Sequence, residues 1–311
     1  MKAKVFIDGE SGTVGLNIRE RLNGLNEKDF EILQIAPELS EDADERAKFL
    51  NTADFVFLCL PDEIARQAVS LIDGAGNTTT RVIDASTAHR TNPNWTYGFP
   101  ELSAEHEKRI RNSNRVATPG CYASGFIALI YPLIASKMLE PSESLSCFGI
   151  SGYSGAGKAF IAEYESENRS SELNSARMYA LAQIHKHQPE MQTVCGLDYP
   201  PMFNPVIDNY YNGLVLSVPL QPRVLKNKIT VDGIKKLYKS HYKNGRVKLA
   251  DSAGITFLAA NTLADSDDME LYVFGDENSE RILLSARFDN LGKGASGAAV
   301  QCFDLMRKGV S

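Results

Sequence analysis

KVFIDGESGTVG, residues 4–15, joins an apolar run to three glycines and then to a helix-like sequence. Residues 4–9 predict a strand and residues 14–22 predict a helix. Glycines between a strand and a helix let the backbone turn tightly and approach a pyrophosphate, which the free amides and the positive dipole end of the helix favour. The stretch therefore predicts a dinucleotide site, with a glycine-rich turn that binds nothing as the alternative. The predicted cofactor contacts in this turn are Gly9, Ser11, Gly12, Thr13, Val14 and Gly15.

Strands and helices alternate over the first part of the chain. Residues 31–35, 53–61 and 81–86 read as strands and residues 63–71 as a helix, which predicts a Rossmann-like, doubly wound parallel sheet. The second half has strand runs with short links, which predicts an α+β catalytic domain with a mostly antiparallel sheet. Those runs are residues 213–222, 255–261, 270–276 and 281–290.

The composition restricts the classes of function. The chain has 311 residues, 33 Lys and Arg, 39 Asp and Glu, and a formal net charge of −6. A mildly acidic chain is a poor candidate for nonspecific nucleic-acid binding, so no nucleic-acid partner is expected. No apolar run approaches the ~18–20 residues that a membrane span needs, so no membrane partner is expected either. The five Cys are scattered without a CxxC pair, which favours a reducing cytoplasm and no zinc cluster.

One cysteine lies in a different context from the others. In TPGCYASG, residues 118–125, a Pro-Gly turn precedes Cys121 and an apolar helix begins near Tyr122. The dipole and free amides of a helix N-terminus lower the pKa of a thiol and also stabilise an oxyanion. Cys121 is therefore predicted to be a catalytic nucleophile, whereas Cys59, Cys147, Cys195 and Cys302 are interpreted as structural.

A thiolate nucleophile needs a partner that transfers protons. IHKHQPEM, residues 184–191, offers His185 and His187, followed by Glu190. Either imidazole could move a proton near neutral pH, and Glu190 could orient it or bind substrate. A metal site or a solvated loop are the alternatives; no metal is expected, because a third convincing ligand stretch is missing.

GYSGAGKA, residues 152–159, resembles a nucleoside-triphosphate loop. Such a loop needs Ser or Thr after its lysine to bind Mg²⁺, and this chain has Ala159 there. An ATPase or kinase is therefore not expected.

The segment after the second predicted strand bears on cofactor choice. APELSED, residues 36–42, contains Glu38, which could bond a ribose hydroxyl as in NAD sites. It has no Arg or Lys for a 2′-phosphate, although Ser40 could contact one. These residues leave NAD and NADP open.

Taken in order, the motifs resemble those of the N-acetyl-γ-glutamyl-phosphate reductase family in its shorter form. The resemblance spans nearly the whole chain. The matching segments are GESGTVG (9–15), CLPD (59–62), DASTAHR (84–90), YGFPEL (97–102), PGCYASG (119–125), SGYSGAGK (151–158), HKHQPE (185–190) and DNLGKGASGAAVQ (289–301).

The resemblance implies NADPH-dependent reduction of N-acetylglutamyl 5-phosphate to the 5-semialdehyde through a thioester on Cys121, in arginine biosynthesis. It implies NADP(H) as cofactor, with NAD(H) not excluded by the residues, and His185 is favoured over His187 for proton transfer. The anionic acyl phosphate substrate requires cations, for which Arg90 and Lys158 are the candidates, with Glu190 also assigned to substrate. A loop from Asn290 to Gly294 is implied to return to the nicotinamide.

The resemblance also implies the domain organisation. Residues 1–118 and 288–311 would form the dinucleotide-binding domain, and residues 119–287 the catalytic and oligomerisation domain of a homodimer or homotetramer. The alternatives are a reductase of another acyl phosphate, such as aspartyl phosphate or a carrier-bound aminoadipyl phosphate, and a noncatalytic nucleotide sensor.

Overall fold

The structure, a computed structural model, describes residues 2–25, 29–222, 225, 227, 229–275 and 281–309. The chain forms two compact units: residues 1–100, 104–119 and 295–311 make the first, and residues 101–103 and 120–294 make the second. In this division residues 288–294 cluster with the second unit. The functional domain assignment remains a proposal.

The first unit alternates strands and helices. In chain order it contains β1 (Ala3–Asp8), α1 (Thr13–Asn23), β2 (Phe30–Leu33), α2 (Ala43–Thr52), β3 (Phe55–Leu58), α3 (Asp62–Gly74), β4 (Arg81–Asp84), β5 (Thr96–Tyr97), α4 (Ala104–Asn112) and β6 (Arg115–Ala117). The second unit contains α5 (Cys121–Ala135), β7 (Ser146–Gly152), α6 (Lys158–Glu165), β8 (Arg177–Met178), α7 (Gln188–Cys195), β9 (Met202–Asp208), β10 (Leu214–Leu220), α8 (Val231–His241), β11 (Val247–Leu249), β12 (Met269–Phe274) and β13 (Ile282–Phe288). The chain then returns to the first unit with α9 (Gly297–Lys308).

The first sheet is parallel in the order β2-β1-β3-β4-β6-β5. Alternating side chains of its strands enter two apolar cores. Val5 and Ile7 pack on one face with Phe303 of α9, and Phe6 and Val56 pack on the other with helices α2 and α3. A sheet covered on both faces explains why β3 is buried at every position. The predicted doubly wound architecture is confirmed.

The second sheet runs β11-β12-β13-β10-β7-β9-β8. Most neighbouring strands are antiparallel, as predicted, whereas β7 with β9 and β11 with β12 are parallel. Helix α5 covers one face: a Cβ at Gly125 would lie 2.9 Å from the Phe288 ring, and one at Gly149 would lie 2.5 Å from Tyr122. Small residues therefore bring α5 close to the sheet.

The strand predicted at residues 255–261 is wrong. This fully described stretch has no strand and enters a short 3-10 helix, Ala260–Leu263, while Phe257 is 91% exposed. The sheet edge beside β12 is occupied by β11, through pairs such as Val247 with Met269. Apolar composition alone predicts a strand at residues 255–261, but it carries no information on which sheet edge is free.

None of the described helices combines the length and apolar character that a membrane span requires.

The close approach of Gly15 to the turn before α1 yields a stability prediction. A methyl group at Gly15 would lie 2.4 Å from the carbonyl oxygen of Gly9, so the turn must shift. We expect Gly15→Ala to lower the free energy of unfolding by about 1–3 kcal/mol, as overpacking does. The chain's single tryptophan, Trp95, lies in the first unit, so urea unfolding followed by its fluorescence measures this change.

Gly74→Ala is the matched control. Gly74 ends α3 in the same unit, and a Cβ there meets nothing within 4 Å. Since alanine favours helix, we expect unchanged or slightly increased stability, by at most about 1 kcal/mol. Equal stability of the two variants would contradict the steric explanation.

Candidate functional site

The predicted glycine turn joins β1 to α1 in the first unit. Gly9 has φ of 86°, and its carbonyl accepts a hydrogen bond from the Gly12 amide at 3.1 Å. A Cβ at Gly9 would lie 2.4 Å from the carbonyl oxygen of Cys59. Gly9 is therefore required both by its positive φ and by its contact with the end of β3, whereas Gly15 is required by the approach of α1 to the turn.

The turn fits the phosphates of a dinucleotide. Gly12 caps α1, whose first turn contains no acidic side chain, so the free amides and dipole end there favour an anion. The Thr13 hydroxyl oxygen is buried and has no hydrogen-bond partner among the described residues. An unsatisfied hydroxyl beside free amides is the arrangement that a phosphate oxygen would satisfy. Ser11 is exposed and Val14 half-buried in the same turn.

Cys121 is the first residue of α5, one position earlier than the sequence suggested. Gly120 precedes it in extended conformation, with φ −76° and ψ 150°. The Cys121 side chain is partly exposed, and the rest of the helix is mostly buried and apolar. A thiol at this position faces the positive end of the α5 dipole, which favours its thiolate form.

Glu190 connects α7 to the residue before this cysteine. Its carboxylate accepts a hydrogen bond from the Gly120 amide at 3.2 Å, and only 1% of the residue is exposed. The other carboxylate oxygen lies 4.0 Å from Nε2 of the buried His187, which caps α7. A buried carboxylate requires such partners. Glu190, predicted to bind substrate, is thus placed to hold both Gly120 and His187.

The two histidines lie against the aromatic ring that follows Cys121. The Tyr122 ring centroid is 6.1 Å from that of His185 and 6.0 Å from that of His187, and the imidazoles are 4.6 Å apart. The His187 amide donates to Nδ1 of His185 at 3.0 Å. That bond assigns the neutral His185 proton to Nε2, leaving Nε2–H as a donor.

Tyr179 is a residue of this cluster that sequence reasoning missed. Its ring lies 5.7 Å from His185. Burial, and then negative charge at Cys121, raise the pKa of the Tyr179 hydroxyl, so it remains protonated and able to donate. The one sequence signal for Tyr179 as a site residue is its position six residues before His185. Ala180 and Gln183, which follow it, have φ of 51° and 58°, a strained backbone of the kind found near functional sites.

The other cysteines have the surroundings expected of structural residues. Cys147, Cys195 and Cys302 are buried, and burial raises the pKa of the Cys147 and Cys195 thiols. Cys59 lies directly after β3, where burial and nearby Asp84 raise the pKa of its thiol. The thiols of Cys59, Cys147 and Cys195 therefore stay protonated and unreactive at neutral pH.

The predicted loop from Asn290 to Gly294 packs beside the nucleophile within the second unit. A Cβ at Gly294 would lie 3.0 Å from that of Cys121, so a larger residue there would require the nucleophile or the loop to shift. The Asn290 side chain accepts from the Gly213 amide and donates to the Ser154 hydroxyl, both at 2.8 Å. Asn290 thus supports neighbouring loops, and its contact with a cofactor remains a prediction.

Lys293, in the same loop, has a buried ion pair that the sequence did not reveal. Its ammonium lies 2.7 Å from the Glu101 carboxylate, and the Lys293 side chain is fully buried. Removing one partner would leave an uncompensated charge, so the pair ties residues 101–103 firmly to this loop.

The candidate substrate cations occupy different settings. Arg90, in the first unit, donates to the carbonyls of Thr118 and Ala85 at 2.9 and 3.2 Å. Lys158 is exposed at the first position of α6, after Gly157 with φ of 90°. Their roles in substrate binding remain predictions.

The first three amides of the loop that resembled a triphosphate site bind the backbone of residues 210–213. The amides of Gly152, Tyr153 and Ser154 donate to backbone carbonyls of residues 213, 210 and 211. These three amides are therefore unavailable to bind phosphate oxygens. Within the described ranges, His, Cys, Asp and Glu side chains form no group of three or more that could hold a metal ion.

Comparisons with known proteins agree with this organisation. A family model described as "Semialdehyde dehydrogenase, NAD binding domain" matches residues 17–110, and one described as "Semialdehyde dehydrogenase, dimerisation domain" matches residues 121–290. The crystal structure of aspartate semialdehyde dehydrogenase II from Vibrio cholerae superimposes with a TM-score of 0.75 over 99% of both chains at 19% identity. This likeness shows the fold alone.

Two relatives are much closer in sequence, and both are named N-acetyl-gamma-glutamyl-phosphate reductase. The one from Burkholderia lata is 44% identical over 97% of this chain and 95% of its own. The one from Chelativorans sp. is 43% identical over 100% of both chains. The resemblance read from the motifs is confirmed: the chain belongs to the N-acetyl-gamma-glutamyl-phosphate reductase family.

Proposed function

We propose that this chain reduces N-acetylglutamyl 5-phosphate to N-acetylglutamate 5-semialdehyde with NADPH, releasing phosphate, as a step of arginine biosynthesis. The position of Cys121 at the first turn of α5 carries the proposal. It lies between Gly120, whose amide donates to Glu190, and Tyr122, whose ring lies near both imidazoles. The names of the close relatives support the substrate. The NAD-binding description of the matched model supports a nicotinamide cofactor, and a fold neighbour from Candida albicans is described with NADP.

The first chemical step makes a thioester. The Cys121 thiolate attacks the acyl carbon, and the bond from that carbon to the phosphate oxygen breaks, so inorganic phosphate leaves with the electron pair. Helix amides of α5 stabilise negative charge on the sulfur before attack and on the carbonyl oxygen during it. An acyl phosphate is already activated, so this displacement needs no ATP.

The second step reduces the thioester. NADPH, when bound, supplies a hydride, and the glycine turn of residues 9–15 with the Thr13 hydroxyl would hold its pyrophosphate. The acyl carbon then carries an oxyanion that takes up a proton to give a thiohemiacetal on Cys121. This collapses when the hydroxyl gives up its proton to a base and the carbon–sulfur bond breaks, which frees the aldehyde and restores the thiolate.

The geometry favours different roles for the two histidines. His185 keeps Nδ1 as an acceptor for the His187 amide, so its Nε2–H is a donor suited to the developing oxyanion. His187, beside the Glu190 carboxylate, is suited to take the thiol proton, because that carboxylate stabilises the imidazolium. We therefore propose His187 as the proton acceptor, in place of His185, which the sequence favoured.

Two anionic groups on the substrate require cations. Arg90 and Lys158 are proposed for them, since a guanidinium or ammonium forms charge-assisted bonds to phosphate and carboxylate oxygens.

The proposal includes residues 1–118 and 288–311 as the dinucleotide-binding domain and 119–287 as the catalytic domain.

The proposed assembly is a homodimer or homotetramer in the cytoplasm. The dimerisation description of the model over residues 121–290 supports the oligomer. So do the apolar side chains exposed on the sheet face opposite α5: Phe148, Met178 and Met202 are 40–62% exposed.

The nucleophile assignment predicts the behaviour of Cys121→Ser. A serine hydroxyl is a far weaker nucleophile than a thiolate, so we expect turnover to fall by about 10³-fold or more, with NADPH binding retained. The assay is phosphate-dependent oxidation of N-acetylglutamate semialdehyde with NADP or NAD, with aspartate semialdehyde as the alternative substrate. Unchanged turnover would refute the assignment, and faster turnover of the alternative would refute the substrate.

Alkylation of the native protein supplies the control. Burial raises the pKa of the Cys147 and Cys195 thiols, so they stay protonated at pH 8, whereas Cys121 is partly exposed at a helix N-terminus. Iodoacetamide should therefore label the peptide containing Cys121 first, as measured by mass spectrometry.

Replacing Glu190 separates its charge from its hydrogen bond. Glu190→Gln keeps an acceptor for the Gly120 amide but removes the charge beside His187, so we expect kcat to fall about tenfold with stability retained. Glu190→Ala also leaves that amide unsatisfied and should cost a further ~1–3 kcal/mol of stability. Steady-state kinetics and thermal unfolding measure both effects. Full turnover by the glutamine variant would mean that the carboxylate serves only as an acceptor.

A further inference from the structure

The segment that follows β2 has an unusual charge for a site that accepts a 2′-phosphate. In doubly wound folds this segment reads the adenosine ribose: a carboxylate bonds the 2′-hydroxyl of NAD, and an arginine accommodates the 2′-phosphate of NADP. Here residues 34–45, QIAPELSEDADE, contain five carboxylates and no Lys, Arg or His.

The sheet places this segment beside the glycine turn. β2 pairs in parallel with β1, for example Ile32 with Val5, so the carboxyl ends of both strands lie at the same edge. Glu38 lies in a short 3-10 helix, Pro37–Leu39, and is exposed. A dinucleotide whose pyrophosphate sits at Gly12 would therefore present its adenosine ribose to this acidic segment.

Ser40 and Asp42 offer little to an additional phosphate. The Ser40 hydroxyl donates to the Pro37 carbonyl at 2.7 Å, which commits its proton. The Asp42 carboxylate caps α2 by accepting from the Glu45 amide at 2.9 Å. The remaining oxygens of the segment are acceptors, which repel phosphate oxygens but accept a bond from a ribose hydroxyl.

Three basic side chains, from the start of α2 and from α1, are already paired with carboxylates. Arg46 forms a two-pronged bond with Asp8 at 2.7 and 3.2 Å, and both residues are buried. Arg19 is bound in the same way by Glu10, at 2.8 and 3.0 Å. Lys48 lies 2.6 Å from Glu45. Each pair cancels its own charge, so the edge keeps the excess negative charge of residues 38–44.

We propose that this chain binds NADH at least as tightly as NADPH. A phosphate monoester carries a charge of about −1.5 to −2 at pH 7 and would face this acidic edge, where Arg46, Arg19 and Lys48 are each already paired with a carboxylate. A 2′-hydroxyl would instead donate to the Glu38 carboxylate. The inference rests on the proposed function, which includes a dinucleotide site. It attributes the relative affinities for NADH and NADPH to residues 34–45.

Calorimetric titration of the purified protein with NADH and with NADPH, without substrate, tests the ranking directly. The expected dissociation constant for NADH is equal to or lower than that for NADPH. Because salt screens repulsion between exposed charges, the affinity for NADPH relative to NADH should rise as salt increases from low to physiological ionic strength. If a basic pocket attracted the 2′-phosphate, the affinity for NADPH relative to NADH would instead fall as salt increases.

A variant that supplies the missing cation tests the location. Ser40→Arg should lower the dissociation constant for NADPH about tenfold or more, with less than about a threefold change for NADH, as expected for a charge-assisted bond. The matched control is Ser70→Arg, which puts the same charge on an exposed position of α3 near its C-terminal end. The control should leave the ratio of the two constants unchanged.

The outcomes separate this inference from the proposed function. Tighter wild-type binding of NADPH than of NADH overturns the inference and leaves the reductase assignment intact. An unchanged ratio in Ser40→Arg also overturns it, because residues 34–45 would then not face the 2′ position. Binding of neither nucleotide overturns both.

Discussion

The hydrogen bond from the Gly120 amide to the buried Glu190 carboxylate is the contact on which the proposed chemistry depends. It joins Gly120, the residue before the nucleophile, to helix α7, which His187 caps, and so fixes their relative position. A buried carboxylate beside a cysteine opposes ionisation of the thiol unless other groups compensate. We propose that the helix amides of α5 and the His187 imidazole, whose Nε2 lies 4.0 Å from the Glu190 carboxylate, provide that compensation.

In the first unit, the predicted phosphate site lies at a sheet edge that carries acidic side chains. Its glycine turn offers backbone amides, which favour phosphate without adding a net positive charge. Arginines at the same edge are paired with Asp8 and Glu10, so they order the loops rather than attract ligands. An acidic sheet edge can therefore coexist with a pyrophosphate site, provided that the ligand brings no further charge to the ribose.

Sequence patterns predicted the features that depend on residues close together in the chain. A strand followed by spaced glycines gave the β1–α1 turn, and Pro-Gly before an apolar run placed Cys121 at a helix start. Contacts between distant segments were not predictable, among them the Glu190 bond to Gly120 and the position of Tyr179. The strand predicted at residues 255–261 failed for the same reason, since pairing depends on which sheet edge is available.

The most direct measurement is the covalent state of the protein after mixing with N-acetylglutamyl 5-phosphate in the absence of nucleotide. Acid quenching followed by mass spectrometry should show one acyl group on the peptide that contains Cys121, with one equivalent of phosphate released. Addition of NADPH or NADH before quenching should discharge the adduct as aldehyde. An active enzyme that forms no adduct, or that carries the acyl group on another residue, would contradict the thioester mechanism.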